Sequence, residues 1–436
     1  MKKTGSIVLK MVFIGVVVLV LVIADVIIGA KVKERDAYRQ QAVSSIYDAA
    51  GGSFVIKNVE LIVPYVHHVR KTNSNGHKYV ENENGEYSIQ TKTLNVNADV
   101  VSEIRNVGIY KAPVYSGKVK IDGEFLCNLK NDTDYTYNFK KARIGIVLKD
   151  SSLIEIPVYT INGVTKETEF GSDYVVIEEN TDKYRVSRVP SLNSEFACVE
   201  GTNTFSTELN IRGANSFRVY VNGNQTRVNV KSDWPSPGFT SYDYLPVKRE
   251  ISDKGFTAEW FVPFSAGDGE KIIGFEYKQP VEVYKMLNRA VTYGFLFIIV
   301  PFIVLFLYEL FMKIQLHVMH YLLCGAASIV FFLLLLSVSE HISFGAAYLV
   351  SSCASGLLTS SYVAAITKQF KTGIGMSGVF LLLYGYLFFS LKSEDYSLLI
   401  GSIFVFIIIA ALMFFTRKID WNNLGKNNLK SQEETE

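Results

Sequence analysis

The sequence predicts a membrane protein in which a six-span α-helical bundle carries a large exported antiparallel β-sandwich-like domain. Six apolar runs have the length of a bilayer-spanning helix, about 20 residues. Residues 31–289 hold 33 of the 44 basic and 33 of the 42 acidic side chains, so the charge is concentrated in one polar stretch. Within that stretch, short alternating segments are separated by Asn-Gly and Asp-Gly pairs, which favour hairpin turns.

This distribution of charge and apolar residues excludes two classes of protein. A chain with six spanning runs is not a cytosolic enzyme. A net charge of +2 with no dominant basic face is not that of a protein that binds nucleic acid through bulk positive charge.

The first apolar run, residues 7–29, defines an N-terminal anchor over residues 1–29. Its only interior charges are Lys10 and Asp25. A cleaved signal peptide is the alternative. The run is long and Ile28-Gly29-Ala30 is a poor cleavage site, so we favour an uncleaved anchor; in either case the next domain is exported.

Five further runs form a transmembrane domain over residues 291–416. They cover residues 291–312, 321–339, 342–366, 373–391 and 396–416. In the fourth span, Ala347, Ser351 and Ser355 are spaced four apart, which predicts close helix packing inside the bundle. The alternative is a contact between two copies of the chain.

The basic residues predict the orientation. With the N-terminus inside, the short inner segments and the tail 417–436 carry nine Lys or Arg, whereas the short outer turns carry only Lys392. The nine are Lys2, Lys3, Lys313, Lys368, Lys371, Arg417, Lys418, Lys426 and Lys430. By the positive-inside rule both termini are cytoplasmic and residues 30–290 are periplasmic.

The exported domain, residues 30–290, is expected to be mainly β. A helix over residues 31–50 should end at Gly51-Gly52 before the strands begin. Trp234 is expected to pack an ordered loop over residues 233–239, because Pro235 and Pro237 exclude a central strand. A Cys127–Cys198 disulfide is compatible with export, although nothing in the sequence brings the two together.

Charged residues in or beside the spans are candidate functional residues. An intramembrane carboxylate such as Glu309 is costly and is a functional hypothesis by default; the alternative is a pair with Lys313 one turn later. Asp25 is expected to reach the headgroup region.

Two predicted outer turns carry the remaining candidates. Glu340 and His341 lie in one, where His341 offers a proton-sensitive contact to the exported domain. Glu394 and Asp395 lie in the other, at the start of the last span, where the helix dipole favours acids. Helix capping and headgroup contacts are the alternatives for both turns.

Enzyme motifs are absent. The sequence contains no HExxH, GxSxG, Walker or GxGxxG pattern and no CxxC pair. Adjacent His67 and His68 would point to opposite faces of a strand, so they do not predict a metal site. We therefore assign no catalytic, cofactor-binding or metal-binding residues and expect no cofactor.

Several short sequence segments, in this order along the chain, resemble the CreD family of bacterial inner-membrane proteins. They are Ser232–Phe239, Arg289–Gly294, Tyr308–Phe311, Leu336–His341, Ser393–Tyr396 and Thr416–Trp421. The resemblance covers nearly the whole chain. It implies a role in cell-envelope integrity and colicin tolerance under two-component control, and it implies no defined biochemical activity.

The sequence thus predicts a non-enzymatic inner-membrane protein of envelope integrity or envelope stress. Its partners would be the lipid bilayer and an envelope protein or cell-wall component bound by the exported β domain; no nucleic acid is expected. A transporter or lipid-handling protein is the alternative, disfavoured because only Pro301 interrupts a span and intramembrane charge is sparse. A membrane-bound hydrolase comes third.

Overall fold

The computed structural model describes residues 2–74, 77–149, 152–180, 183–221, 223–240, 242–263, 271–278, 283–312, 314–393 and 396–417. The chain divides into two compact units. The helical unit comprises residues 1–39 and 281–436, and the β unit comprises residues 40–280.

Seven α-helices occur in the described residues. They are α1 (Lys2–Ala49), α2 (Val283–Thr292), α3 (Gly294–Met312), α4 (Val318–Ser339), α5 (Phe344–Thr367), α6 (Phe370–Lys392) and α7 (Ser397–Thr416). Six candidate spans, α2 and α3 together counting as one, are long and apolar enough to cross a membrane. This agrees with the number of spans predicted from the sequence.

Helix α1 is continuous from the first span to Ala49, as the sequence predicted for residues 31–50. It ends where Gly51 and Gly52 adopt positive φ angles of 90° and 71°. The Gly52 amide donates to the Tyr47 carbonyl at 2.8 Å, which satisfies one of the last free carbonyls of the helix. Within the β unit, Ile46 packs against a small apolar cluster that includes Val114.

The small-residue stripe of α5 lies inside the helical unit. Ala347, Ser351 and Ser355 are buried, and the Ser355 hydroxyl donates to the Ala327 carbonyl of α4 at 2.8 Å. Helix α5 therefore approaches α4 closely through these residues, which confirms the prediction of internal packing.

Seventeen strands occur in the described residues. They are β1 (Phe54–Thr72), β2 (Lys78–Val107), β3 (Tyr110–Cys127), β4 (Tyr135–Tyr137), β5 (Ala142–Lys149), β6 (Ser152–Leu153), β7 (Tyr159–Ile161), β8 (Val164–Lys166), β9 (Glu169–Asn180), β10 (Lys183–Phe196), β11 (Gly201–Ala214), β12 (Ser216–Tyr220), β13 (Gln225–Ser232), β14 (Pro237–Gly238), β15 (Lys248–Ser252), β16 (Gly255–Val262) and β17 (Ile272–Tyr277).

The strands form a large mixed sheet system, with β2 shared between two sets. The first half of β2 pairs with β1 in the set β9-β10-β5-β1-β12-β17-β14, to which β4 is added. The second half pairs in the set β15-β16-β13-β2-β3-β11-β7-β8, to which β6 is added at β11.

The expectation of a purely antiparallel domain is wrong in two places. Strands β1 and β12 pair in parallel, and so do β2 and β13. Parallel neighbours need a long connection between them, and both pairs are joined through more than a hundred residues of intervening chain. Local alternation and turn signals report hairpins and carry no information about such distant partners.

One hydrophobic core includes residues from both strand sets. Strand β13 shows the pattern: Val228 and Val230 are buried, whereas Arg227, Asn229 and Lys231 lie on the opposite, outward face. Trp260 and Phe239 are also buried, with ring centroids 5.7 Å apart. The loop that follows β13 is thus ordered and packed on this core through Phe239, as predicted.

Candidate functional site

The outward face of the second strand set carries polar side chains in continuous cross-strand rows. The register aligns one row over six strands: Lys248, Glu259, Asn229, Asn97, Lys120 and Glu208. Side chains directly opposite each other on adjacent strands are close enough to interact. The Asn229 amide donates to the Asn97 side-chain oxygen at 2.9 Å, which joins the middle of the row.

A second row runs beside the first, two residues further along each strand. It contains Glu250, Thr257, Lys231, Asp99, Lys118 and Asn210 in register. Lys231 pairs with Asp99 at 3.8 Å. Lys118 donates to Glu208 of the first row at 2.8 Å, and this hydrogen bond raises the pKa of Lys118. The rows are therefore linked by ion pairs as well as by register.

These rows line a groove of about 490 Å³. Its walls contribute five cations, Lys118, Lys120, Lys231, Lys248 and Arg249, and four carboxylates, Asp99, Glu208, Glu250 and Glu259. In the part of the chain that the structure describes, neither Lys120 nor Arg249 has an acidic partner. Among the described residues Glu250 has no basic partner either, so the groove offers two unpaired cations and one unpaired carboxylate; we call it the polar groove.

Trp234 lies elsewhere in the β unit and is half-buried. Its indole Nε1 donates to the carbonyls of Ser236, at 3.2 Å, and Lys278, at 3.1 Å. Its ring meets Tyr277 edge-on, with centroids 5.7 Å apart. These contacts tie the proline-containing loop to the last strand of the unit, and they account for Trp234 as a packing residue.

Glu309 is the centre of a polar cluster in the helical unit. Lys10 of α1 forms an ion pair with its carboxylate, and the Tyr321 hydroxyl of α4 donates to its second oxygen at 2.9 Å. The side chains of Lys10 and Glu309 are 21% and 13% exposed. The sequence predicted Glu309 as a candidate but did not predict Lys10 as its partner.

Further polar contacts lie near the same ends of the helices. Tyr308 of α3 donates to the Gln369 side chain at 3.4 Å and accepts from Thr372 of α6 at 3.1 Å. His320 of α4 lies 2.8 Å from the Tyr362 hydroxyl of α5. The polar cluster therefore connects α1, α3 and α4, and its neighbours reach α5 and α6.

Asp25 is buried among the helices, and its expected headgroup depth stays a prediction. It is 8% exposed, packed within the helical unit, and its Oδ1 atom has no hydrogen-bond partner in the described residues. The carboxylate lies against Gly294, where a side-chain carbon would collide with it. Gly294 is also the first residue of α3, directly after the break that follows α2. Sequence reasoning missed this site because the contact depends on a residue far along the chain.

Glu340 caps α4 and forms polar contacts within the helical unit. The Tyr284 hydroxyl of α2 donates to it at 3.0 Å, and Arg35 of α1 lies 3.9 Å from it. His341 is exposed. Glu394 and Asp395 lie outside the described residues. Tyr284 and Arg35 both lie within residues 30–290, which confirms the predicted contact of that segment with Glu340; the contact predicted for Glu394 and Asp395 stays a prediction.

No metal centre is evident in the described part of the chain, where no group of three or more His, Cys, Asp or Glu residues could hold an ion. His67 instead stacks on Tyr135, with centroids 4.5 Å apart. His68 binds Asn82 at 2.8 Å and Thr136 at 2.9 Å.

Comparison with known proteins then decides the family. The family model described as "Inner membrane protein CreD" matches residues 6–422. The chain belongs to the CreD family. It is 27% identical to the inner membrane protein CreD of Escherichia coli K12, over 96% of this chain and 94% of the relative. The resemblance found in the sequence is therefore confirmed.

Two solved structures show only weak similarity to this CreD-family chain. A nutrient-binding protein from Legionella pneumophila covers 54% of the chain and 85% of its own length, at 8% identity and a TM-score of 0.25. Yeast LTA4 hydrolase in complex with bestatin covers 42% of the chain and 28% of its own, at 13% identity and a TM-score of 0.20.

Proposed function

We propose that this CreD-family protein is a six-span inner-membrane protein whose β unit faces the periplasm and binds an envelope component, without catalysis. In this proposal both termini are cytoplasmic, and the two strand sets are the faces of a β-sandwich over their common core. The bound state would contribute to envelope integrity or to the envelope-stress response.

The lysine distribution supports the orientation. The short connections on the side of the N-terminus carry Lys313, Lys368 and Lys371, whereas those on the other side carry Lys392 alone. Positive residues in short loops are retained on the cytoplasmic side. An even number of spans then places both termini in the cytoplasm and residues 30–290 outside.

The polar groove is the observation that carries the binding proposal. Each of the two rows presents amide, ammonium and carboxylate groups. Successive groups in a row lie about 4.8 Å apart, which is the spacing between neighbouring strands. A polymer that repeats hydroxyl, amide and charged groups can form successive hydrogen bonds along such rows. The bacterial cell wall has this chemistry, and the two uncompensated cations, Lys120 and Arg249, suit its carboxylates.

Three of the four groove carboxylates, all but Glu250, are paired with lysines, which supports a binding role over acid–base catalysis. Glu208 binds Lys118, Asp99 binds Lys231 and Glu259 binds Lys248 at 3.8 Å. Each of these three carboxylates is therefore already engaged by a neighbouring ammonium group.

Sedimentation with purified cell-wall sacculi tests the binding proposal. The detergent-solubilised full chain should co-sediment with sacculi, and Lys120→Glu together with Arg249→Glu should reduce the bound fraction about tenfold. Lys130→Glu is the matched control, because Lys130 is exposed and lies outside the groove. Equal binding by all three proteins would refute the groove as the binding surface.

Asp25 favours transport as a second candidate function. Among the described residues the buried Oδ1 atom of Asp25 has no hydrogen-bond partner, and the carboxylate lies against the break between α2 and α3. Discontinuous helices with such groups form ion sites in transporters. Proton or cation uptake by the reconstituted protein, abolished by Asp25→Asn and unchanged by Lys120→Glu, would favour this function over wall binding.

A further inference from the structure

Cys127 and Cys198 lie together in the core of the β unit, although 70 residues separate them in the sequence. Cys127 is the last residue of β3, and its partner across the ladder is Gly201, the first residue of β11. Cys198 lies three residues before Gly201, and both cysteines are buried in the same core. The nearby Cys127 thiol adds to the increase that burial produces in the pKa of Cys198.

The turn that carries Cys198 is held in place by its own hydrogen bonds. The Cys198 amide donates to the Phe139 carbonyl at 2.8 Å. Asn203 accepts from the Val199 amide at 3.0 Å and donates to the Val199 carbonyl at 2.8 Å. These hydrogen bonds fix the position of Cys198 beside the start of β11.

We propose that Cys127 and Cys198 form a disulfide in the exported protein. The bond would join the end of β3 to the turn between β10 and β11, the point at which the chain passes from one strand set to the other. This inference rests on the proposed periplasmic position of the β unit, because disulfides persist in oxidising compartments.

The reaction is a thiol–disulfide exchange. Each cysteine sulfur loses one proton and one electron as the sulfur–sulfur bond forms. A protein disulfide of the exported compartment accepts the two electrons and two protons and leaves as a dithiol. Burial raises the pKa of Cys198 to about 12, so its thiolate is scarce in the folded state, and the exchange takes place before the core closes.

Two cysteines of the helical unit serve as internal controls. Cys324 is buried in α4 and Cys353 is exposed on α5; both are free thiols in the structure, as are Cys127 and Cys198. An oxidant that acted without regard to geometry would also modify Cys353. A specific disulfide consumes only the pair in the β unit.

Alkylation of the full chain under denaturing conditions tests the inference. Cells are quenched in acid and treated with N-ethylmaleimide. The mass of the purified protein then gives the number of adducts, and peptide mapping locates them. We expect two adducts, on Cys324 and Cys353, rising to four after reduction, and a linked pair of peptides containing residues 127 and 198. In Cys127→Ala, Cys198 should gain an adduct without reductant.

A reporter in the turn at residues 162–163 separates this inference from the proposed orientation. If the reporter is exported but all four cysteines are alkylated, the disulfide is refuted and the orientation stands. If the reporter is cytoplasmic, both are refuted. With the disulfide present, reduction should lower the unfolding temperature of the β unit by roughly 10 °C, and the Cys127→Ala, Cys198→Ala double variant should show no dependence on reductant.

Discussion

Lys10 of the first helix forms an ion pair with Glu309 of α3, 299 positions further along the chain. The Tyr321 hydroxyl binds the other oxygen of the same carboxylate. Asp25 of α1 also lies against Gly294 of α3. Helix α1 therefore makes polar contacts with later helices along its apolar run, and the uncleaved anchor stays a prediction.

The ion pair should contribute measurably to the stability of the helical unit. Lys10→Met leaves the Glu309 charge without its cation, and we expect a loss of roughly 1–3 kcal/mol, between the values typical of membrane hydrogen bonds and of buried ion pairs. Lys31→Met is the control, because the Lys31–Glu34 pair is exposed and should contribute at most about 1 kcal/mol. Denaturation of the purified protein in mixed micelles measures both.

A double-mutant cycle distinguishes pairing from independent effects. Lys10→Met combined with Glu309→Gln should cost less than the sum of the single changes. Additive losses would show that the two side chains do not interact in the folded protein.

Gly294 should tolerate no side chain while Asp25 is present. Gly294→Ala places a methyl group against the carboxylate, and we expect a loss of roughly 1–3 kcal/mol. Gly378→Ala in α6 is the matched control: no atom lies within 4 Å of the added carbon, so it should be neutral or slightly stabilising. Asp25→Ala should partly rescue Gly294→Ala. Thermal unfolding of each variant measures the change in stability. Equal losses for the two glycine changes would contradict the packing of Asp25 against Gly294.

Trp234 and Trp260 should contribute different amounts to the free energy of unfolding of the β unit. Trp260→Ala removes a fully buried ring and should cost roughly 3–5 kcal/mol. Trp234→Phe keeps an aromatic ring near Tyr277 but loses the hydrogen bonds of Nε1, and should cost roughly 1 kcal/mol. Chemical denaturation followed by tryptophan fluorescence measures both. Unchanged stability with lost envelope function in Trp234→Phe would make this loop a binding surface instead.

The β unit should lose stability in alkali because of two buried tyrosines. Tyr115 accepts from the Phe54 amide at 3.2 Å and donates to the Ser216 carbonyl at 2.8 Å. Burial raises the pKa of Tyr115 well above its ordinary value of 10, and the nearby Tyr277 adds to the increase. Burial also raises the pKa of Tyr277. Above pH 10 the unfolded chain therefore releases protons that the folded chain retains.

The stabilisation is therefore fully present below pH 10 and falls as the pH rises toward the folded-state pKa values of the two tyrosines. Each tyrosine contributes a slope of about 1.4 kcal/mol per pH unit in that range. Tyr115→Phe should lower the stability at pH 8 by about 1–2 kcal/mol through the lost hydrogen bonds and should flatten the alkaline slope. A slope unchanged in Tyr115→Phe would contradict the assignment.

The sequence correctly predicted the structural features that depend only on neighbouring residues. The alternation of Val228 and Val230 predicts their shared buried face, and Gly51-Gly52 predicts the end of α1, because each depends on neighbouring residues. The pairing of Lys10 with Glu309 could not be predicted in this way, since nothing in either segment specifies which helices pack together. The parallel β1–β12 pair was missed for the same reason.

The polar groove shows the same limit at the level of the site. Lys120, Asn97 and Asn229 each appear as an ordinary outward residue of an alternating strand. They become one row only when the register of three strands is known. The cysteine pair is similar: the sequence allowed a Cys127–Cys198 bond, and the β3–β11 register brings the two residues together.

The export of the β unit is the central claim, and a paired topology reporter tests it most directly. Alkaline phosphatase, which is active only outside the cytoplasm, is inserted in the turn at residues 162–163, and a fluorescent protein that matures only in the cytoplasm is fused after residue 421. We predict high phosphatase activity from the first fusion and bright fluorescence from the second. An inactive phosphatase in a stably expressed chain would contradict the orientation, and with it the periplasmic position of the polar groove.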